Sequence, residues 1–336
     1  MSGGGEHMAT PSGDGIRIGF YEDWMLPQVV DMFAAEYHRD REQGEAEFRQ
    51  FYEHPFQRPH GIRLVALDGE RVCGFQSYFF WPYVFQGREL RTFQSGKSLV
   101  SPDYRGRRIF ARLLNCLAET DRRPEIDLLM GFPVQTSYAS FIRNQWSNPL
   151  NLTWYGRLVH PLSSIVSDAK PNGSDYFLDR EAENVDHVYP ENCFALSKDR
   201  RFAEWRKEYR AGDPGYLYFH HRENGKTIRF ELKPEKRGRI NQLIIGDIAR
   251  ESADPALLRG GLRALVRAAR RHRFLTMISI AANAECSETT LIRRLRRSGF
   301  IRLKPKIHFI VKQLGERTEA EDPRNWWLLR SDIDTW

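Results

Sequence analysis

The chain has 336 residues, 41% of them hydrophobic and 12% aromatic, enough to bury a sizeable core. At about 100–200 residues per domain, two domains are expected and a chain disordered throughout is excluded. With 51 Lys and Arg against 44 Asp and Glu the formal charge is +7, which leaves nucleic acid, an acidic polymer and a phosphorylated small molecule open as partners. Four cysteines, at positions 73, 116, 193 and 286, are too scattered for a CxxC metal or redox motif and too few for a disulfide scaffold. They predict free thiols in a reducing, cytoplasmic compartment.

No stretch reaches the roughly 18 consecutive apolar residues of a membrane span, and the N-terminus lacks the layout of a secretory signal. Residues 1–15 are Gly/Ser-rich without apolar period and read as a flexible leader or tag remnant. From residue 16 strands and helices alternate. Residues 16–22 alternate apolar and polar, and 26–38 carry Leu26, Val29, Val30, Phe33 and Tyr37 at helical spacing. A second helix is expected around 45–52. Strands at 62–66 and 72–80 flank an Asp68-Gly69 hairpin turn, and another strand pair is expected across Gln86-Gly87 with 91–100 as its second member. A polar, basic loop leads into a helix over 109–119, followed by a strand at 126–130, a helix at 137–145 and a strand at 152–158. This order predicts an α/β fold, more strictly an α+β mixed sheet with helices on both faces.

Residues 163–184 are polar with Pro, Asn and Gly and read as a linker. Strands at 216–220, 227–232 and 240–245 follow, with turns at Asn224-Gly225 and Arg237-Gly238. Then come a helix at 255–272 opening on Pro255, a strand at 276–281, a helix at 289–297 ended by Gly299, and a strand at 301–314. The second half is thus expected to be a shorter copy of the first, giving domains at 16–162 and 185–336.

The segment Val100-Ser-Pro-Asp-Tyr-Arg-Gly-Arg-Arg-Ile-Phe joins a strand to a helix through a basic turn. A helix N-terminus offers unpaired N–H groups and the positive end of a dipole, so the turn reads either as a pyrophosphate site or as a solvated basic loop. Here the sequence resembles the GNAT N-acetyltransferase superfamily, with its V-x-P-x-Y-R-G-x-G-I signature. Val100, Pro102, Tyr104, Arg105, Gly106 and Ile109 match, while Arg108 stands where the second glycine is expected. Two further blocks resemble two-lobed relatives. One is residues 131–146, where Gly131, Phe132, Pro133, Ser137, Tyr138, Phe141 and Trp146 match; the other is the C-terminal NWWLLRSDIDTW.

The resemblance implies two GNAT-like lobes, the second degenerate, and acetyl-CoA or another acyl-CoA as co-substrate. It would be held by Leu99, Val100, Arg105, Gly106, Arg107, Arg108, Ile109 and Phe110. It also implies acyl transfer to a small-molecule amine, such as an amino sugar or a natural-product intermediate, in a ternary complex. The family's usual acid tyrosine maps onto Phe141, which has no proton to give, so Tyr138 one turn earlier is the candidate general acid, with ring packing as its alternative. The strand 91–100 holds Lys97 but no carboxylate. Lys97 reads as solvated or anion-facing and as a substrate-binding candidate. Glu22 reads as a base or acceptor-orienting group, or simply as a helix start. Trp81 and Tyr83, in a dense aromatic run, read as a stacking surface for an acceptor or as core. No metal constellation is seen.

Residues 1–162 hold 18 basic against 19 acidic side chains and residues 163–336 hold 33 against 25, so the excess charge lies in the second half. Arginines crowd its two helices. They read as solvated helix faces or as a surface for an acidic polymer or nucleic acid, giving a non-catalytic anion-binding protein as the second functional reading. No helix-turn-helix, zinc finger or RNA-recognition motif accompanies them, so nucleic acid is not the expected partner. The sequence does not set the oligomeric state.

Overall fold

In a computed structural model the described residues are 14–117, 126–161, 178–209, 215–314 and 318–336. Residues 1–13 of the expected leader and 163–177 of the expected linker lie outside them, as do 118 and 119 of the third expected helix.

The first half runs β1 (Ile16–Phe20), α1 (Leu26–Tyr37), α2 (Arg41–Tyr52), β2 (Ile62–Asp68) and β3 (Arg71–Phe80). It continues with β4 (Tyr83–Phe85), β5 (Arg88–Leu90), β6 (Thr92–Val100), α3 (Ile109–Cys116), β7 (Leu128–Gly131), α4 (Gln135–Arg143) and β8 (Ser147–Leu158). The second half holds β9 (Phe194–Leu196), α5 (Arg200–Tyr209), β10 (Leu217–Glu223), β11 (Lys226–Arg237) and β12 (Ile240–Arg250). After these come α6 (Pro255–Ala269), β13 (Met277–Ala282), α7 (Thr290–Arg297), β14 (Ile301–Gln313) and β15 (Trp326–Trp327). Among the described residues no helix is long and apolar enough to cross a membrane. All four cysteines are free thiols.

Eleven strands form one sheet in the order β1-β2-β3-β6-β7-β14-β8-β13-β12-β11-β10. All neighbours are antiparallel except β6–β7 and β12–β13, each joined by a crossover helix, α3 and α6. The two halves therefore mirror one another about the central β14–β8 pair. They also trade strands: β14 of the second half pairs with β7 of the first, and β8 of the first pairs with β13 of the second. Two buried clusters fill the halves, one around Phe75, Phe79 and Trp81, the other around Phe230, Ile245 and Leu262.

The sequence expectation is corrected at Gln86-Gly87. The turn is real, with positive φ at both residues, but it joins β4 to β5 in a separate four-stranded sheet, β15-β9-β4-β5. β6 instead pairs with β3. Helix α5 and strand β9 lie in a polar stretch whose pattern did not announce them.

Along β3 the faces alternate. A Cβ on Gly74 would touch Ile109 and Leu113 of α3, whereas Ser77 meets Tyr52 of α2 across the other face. The parallel β6–β7 pairing ends at Ser95 and Gly131, and β12–β13 pairing ends at Ile245 and Ile280. Just beyond, both β6 and β12 bulge against their antiparallel neighbours, at Gly96-Lys97 and at Gly246.

In the second half the space opened at that bulge is filled by the chain itself. A Cβ on Gly246 would lie 2.0 Å from the Trp336 ring, so glycine is obligatory there. Leu329 bridges to Ala282, and the Trp336 indole N–H bonds Glu231. The segment is fastened by a buried ion cluster: the Lys198 ammonium lies 2.5 Å from Asp247 and 2.7 Å from Asp332, and His187 contacts Asp247 at 2.7 Å. Burial alone would raise the Asp247 carboxyl, but Lys198 and His187 outweigh it and hold it well below the usual carboxylate range. Burial raises Asp332 in spite of Lys198.

Replacing Lys198 by Met leaves two buried carboxylates facing each other and is expected to cost about 3–5 kcal/mol at pH 7. In the wild type, the stability owed to the depressed Asp247 is present above its unfolded pKa of about 4 and is lost as pH falls. In Lys198→Met the Asp332 carboxyl, already raised by burial, rises further above its unfolded value, so the folded state binds more protons and the variant's deficit shrinks from pH 7 to pH 5. Urea midpoints at the two pH values check this. An equal deficit at both would show that Lys198 is not coupled to the carboxylates.

Candidate active site

Because β7 ends at Gly131 while β6 continues to Val100, still paired with Gly74 of β3, the β7-side edge of β6 has no strand partner beyond Ser95 and an opening begins there. The bulge sits at its start. Lys97 has φ 50°, and the register against β3 shifts between Phe75 and Ser77.

At the far end of β6 the loop 101–108 turns into α3. Gly106 has φ +85°, and a Cβ there would meet nothing within 4 Å. Arg108, the N-cap of α3, is left-handed at φ 57°. That is why the resembling family places glycine here: a side chain at this backbone conformation is strained by roughly 1–2 kcal/mol. The first helical bond runs from Arg112 N–H to Arg108 C=O. Among the described residues no backbone N–H from Gly106 to Ala111 finds an acceptor in the chain. Six such donors at a helix N-terminus suit a pyrophosphate.

The other loop candidates divide between bracing and lining. Arg105 is tied down, 2.7 Å from Glu36 of α1 and 3.2 Å from the Val100 carbonyl. Arg107 covers the Tyr104 ring, whose hydroxyl donates to Asp68 at 2.8 Å. Ile109 is buried under Gly74, Leu99 is buried opposite Phe75, and Phe110 packs edge-on against Phe141. A hollow of about 370 Å³ lies beside the loop, lined by Gln28, Met32, Glu36, Leu99 and Pro102 among others.

On the α2 face of the sheet, Arg63, Ser77 and Gly96 stand in one cross-strand row over β2, β3 and β6. Ser77 donates to the Gly96 carbonyl at 2.8 Å, so the Tyr52 hydroxyl donates to Ser77 at 2.7 Å. Burial raises the Tyr52 phenol and keeps it neutral. A Cβ on Gly96 would press on Phe79 at 2.8 Å and approach the Asp334 carboxylate at 3.6 Å. Asp334 is half-buried and accepts from Gln94 Nε2 at 2.7 Å. Lys97 stays open to solvent although protein crowds it on most sides, the condition of a side chain in a cleft. Burial would lower its ammonium, but Tyr209, Asp334 and Glu47 hold it above the usual value.

The carboxylate that strand β6 lacks is thus delivered from more than two hundred residues away. Arg206 of α5, itself buried, fixes this segment by donating to the main-chain oxygens of Ile333, Asp334 and Trp336 at 3.4, 3.2 and 2.8 Å. Sequence reasoning missed Asp334, Tyr52, Ser77 and Arg63. The C-terminal block containing Asp334 stood out in the sequence, but no local spacing shows that it returns to Gly96.

Two expected acceptor residues are corrected. Trp81 and Tyr83 are both fully buried. The Trp81 indole donates to the Asp332 carbonyl at 2.9 Å, and the Tyr83 ring packs edge-on against Trp326, so neither presents a face to a ligand. Tyr138 turns toward the β14 side of β7. Its hydroxyl donates to Asn148 at 3.1 Å and its ring stacks on His308, while Phe141 faces Phe110 and Trp146. Glu22 is exposed at the start of a short 3-10 turn and accepts from Trp24 at 3.2 Å. Far from the opening, Arg259 and Arg263 of α6 gather with Arg293, Arg294 and Arg297 of α7. Among the described residues none of the five has a carboxylate partner. Burial, with these neighbours, lowers Arg294.

Residues 19–143 match the acetyltransferase (GNAT) domain family. No curated protein matches the chain. Among solved structures, a GCN5-related N-acetyltransferase from Anabaena variabilis is similar with a TM-score of 0.55 at 10% identity, over 89% of this chain and 73% of that one. A GCN5-related N-acetyltransferase from Kribbella flavida gives 0.53 at 14%, over 89% and 71%. Eis1 from Mycobacterium abscessus gives 0.54 at 12%, over 89% and 73%. At such identities the likeness is one of fold. The β6–β7 pair whose pairing ends early, the open N–H groups before α3 and the mirrored second half agree with it: residues 19–143 match the GNAT domain family, and the second half repeats the same strand and crossover order.

Proposed function

We propose that the protein is an acyl-CoA-dependent N-acyltransferase that moves an acetyl group from acetyl-CoA to the amine of a small molecule in a ternary complex. An amino sugar or a natural-product intermediate is the acceptor class carried by the resemblance. The observation that supports it most is the conjunction, along one strand, of open N–H donors at residues 106–111 with a carboxylate at the β6 bulge.

The residues present fit the co-substrate. Backbone N–H groups of 106–111 would hold the pyrophosphate, with Arg107 and Arg108 adding charge, and the edge of β6 left open beyond Ser95 would take the pantetheine arm. Acyl-CoA supplies the activated thioester. Asp334 is the base: it accepts the ammonium proton of the acceptor and frees the nitrogen lone pair. As the N–C bond forms the C–S bond breaks and its electron pair leaves on sulfur, and the second N–H proton of the attacking nitrogen passes to the departing thiolate to give the neutral amide and the CoA thiol. Lys97, held protonated, places a positive charge by the bulge where that negative charge develops. Tyr138 stays in the reading only as a second proton source, since its hydroxyl is already engaged by Asn148.

Calorimetry with acetyl-CoA tests the core of the reading, and absence of binding at millimolar ligand would sink it. Asp334→Asn is expected to lower turnover by about a hundredfold or more while leaving acetyl-CoA affinity unchanged. Unaltered turnover would remove Asp334 from the base role. Arg108→Gly relieves the left-handed strain and is expected to raise stability by about 1 kcal/mol while weakening acetyl-CoA binding severalfold, because one of the two charges beside the pyrophosphate is lost. A lower unfolding midpoint would mean that the arginine side chain makes a folded-state contact worth more than the strain.

A further inference from the structure

The polar row on the α2 face begins with a cation that no carboxylate among the described residues pairs with. Arg63 is half-buried, its guanidinium 4.3 Å over the Tyr21 ring and 5.7 and 5.9 Å from the Tyr52 and Phe48 rings. Its Nη1 is buried without a hydrogen-bond partner. Among the described residues no carboxylate lies within ion-pair distance of Arg63, and none within that distance of Lys97. Of the acids nearby, Glu47 is paired with Arg39 and Glu53 with Arg49, each at 2.9 Å, while Asp23 and Asp334 stand beyond ion-pair distance of Arg63.

An unmet donor on a guanidinium is costly to bury and is favoured by an anion that completes its fork. The row fixes where that anion stands. Arg63 and Gly96 are two strands apart, roughly 10 Å across the sheet, and Asp334 hangs over the Gly96 end. The hydroxyls of Tyr52 and Ser77 lie between them.

We propose that the acceptor carries an anionic group, a carboxylate or a phosphate, several bonds from its amine, and that Arg63 binds this group while Asp334 receives the amine. This rests on the acyl-transfer reading and adds to it the chemical class of the acceptor. It also gives the aromatic enclosure of Tyr21, Phe48 and Tyr52 a role, since it holds the guanidinium plane in one orientation and shields the ion pair from water.

The test uses two matched pairs of amines, 4-aminobutyrate with 4-aminobutanamide and phosphoethanolamine with ethanolamine, and follows thiol release from acetyl-CoA. The anionic member of at least one pair is expected to have a kcat/KM about tenfold or more above its neutral partner, and the pair that responds separates carboxylate from phosphate. Arg63→Met should abolish the preference by raising KM for the anionic member alone, and Arg63→Lys should keep part of it. Thermal unfolding confirms that both variants are folded. Equal kcat/KM within both pairs, or a preference that survives in a folded Arg63→Met, overturns the proposal. If acetyl-CoA binds but none of the four amines releases thiol, these amines are not acceptors. Calorimetry of the same four with the CoA-saturated protein then decides, and equal affinities overturn the proposal. Failure of acetyl-CoA to bind overturns the acyl-transfer reading instead, and the four amines are then compared on the free protein by the same criterion.

Discussion

One buried ammonium organises the molecule. Lys198, from the segment between β9 and α5, is shared by Asp247 on β12 and Asp332 in the C-terminal segment. Without it two desolvated carboxylates would confront each other, and the segment carrying Asp332 would have no charged anchor on the second lobe. With it, that segment lies in the second lobe's opening. Trp336 lies against Gly246, and Asp334 is carried over Gly96 in the first. The closed second lobe and the furnished first lobe are therefore one arrangement seen from two sides.

The mirrored lobes make the comparison internal. Both have a parallel strand pair whose pairing ends beside a bulge, at Gly96 and at Gly246, and both bulge glycines are pressed by aromatic rings. Beyond the bulge they diverge. β6 leads through eight loop residues to a helix whose first N–H groups are open, whereas β12 reaches α6 through four residues, with Asp254 capping the helix by accepting from Ala256 N–H. An occupied cap leaves fewer donors for a phosphate. The second lobe therefore offers fewer open donors at its helix, and the space at its bulge is filled by Trp336.

Much of this was legible locally. Asp68-Gly69, Asn224-Gly225 and Arg237-Gly238 each mark a turn because the backbone must take positive φ there, and the period of the apolar residues located α1, α3 and α6. The loop 101–108 was readable as strand, basic turn and helix start. The site's floor was not. Ser77, Tyr52, Arg63 and Asp334 meet only through cross-strand register and a C-terminal return, which sequence spacing does not encode. The aromatic run at 79–85 stayed open between two readings for a different reason: a tryptophan in a stacking platform and one in a core look alike until burial is known, and Trp81 is core. The exchange of β8 and β14 was invisible because each half, read alone, supplies a final strand of the right type.

That exchange orders events during synthesis. β7, one wall of the opening, meets β14 on one edge, and β14 comprises residues 301–313. Until those residues leave the ribosome the first lobe carries an unsatisfied sheet edge at β7, while β8 waits for partners on both sides. Neither lobe completes its sheet without a strand of the other, so the wall that β7 gives the groove gains its β14 partner only after residue 313 has been made.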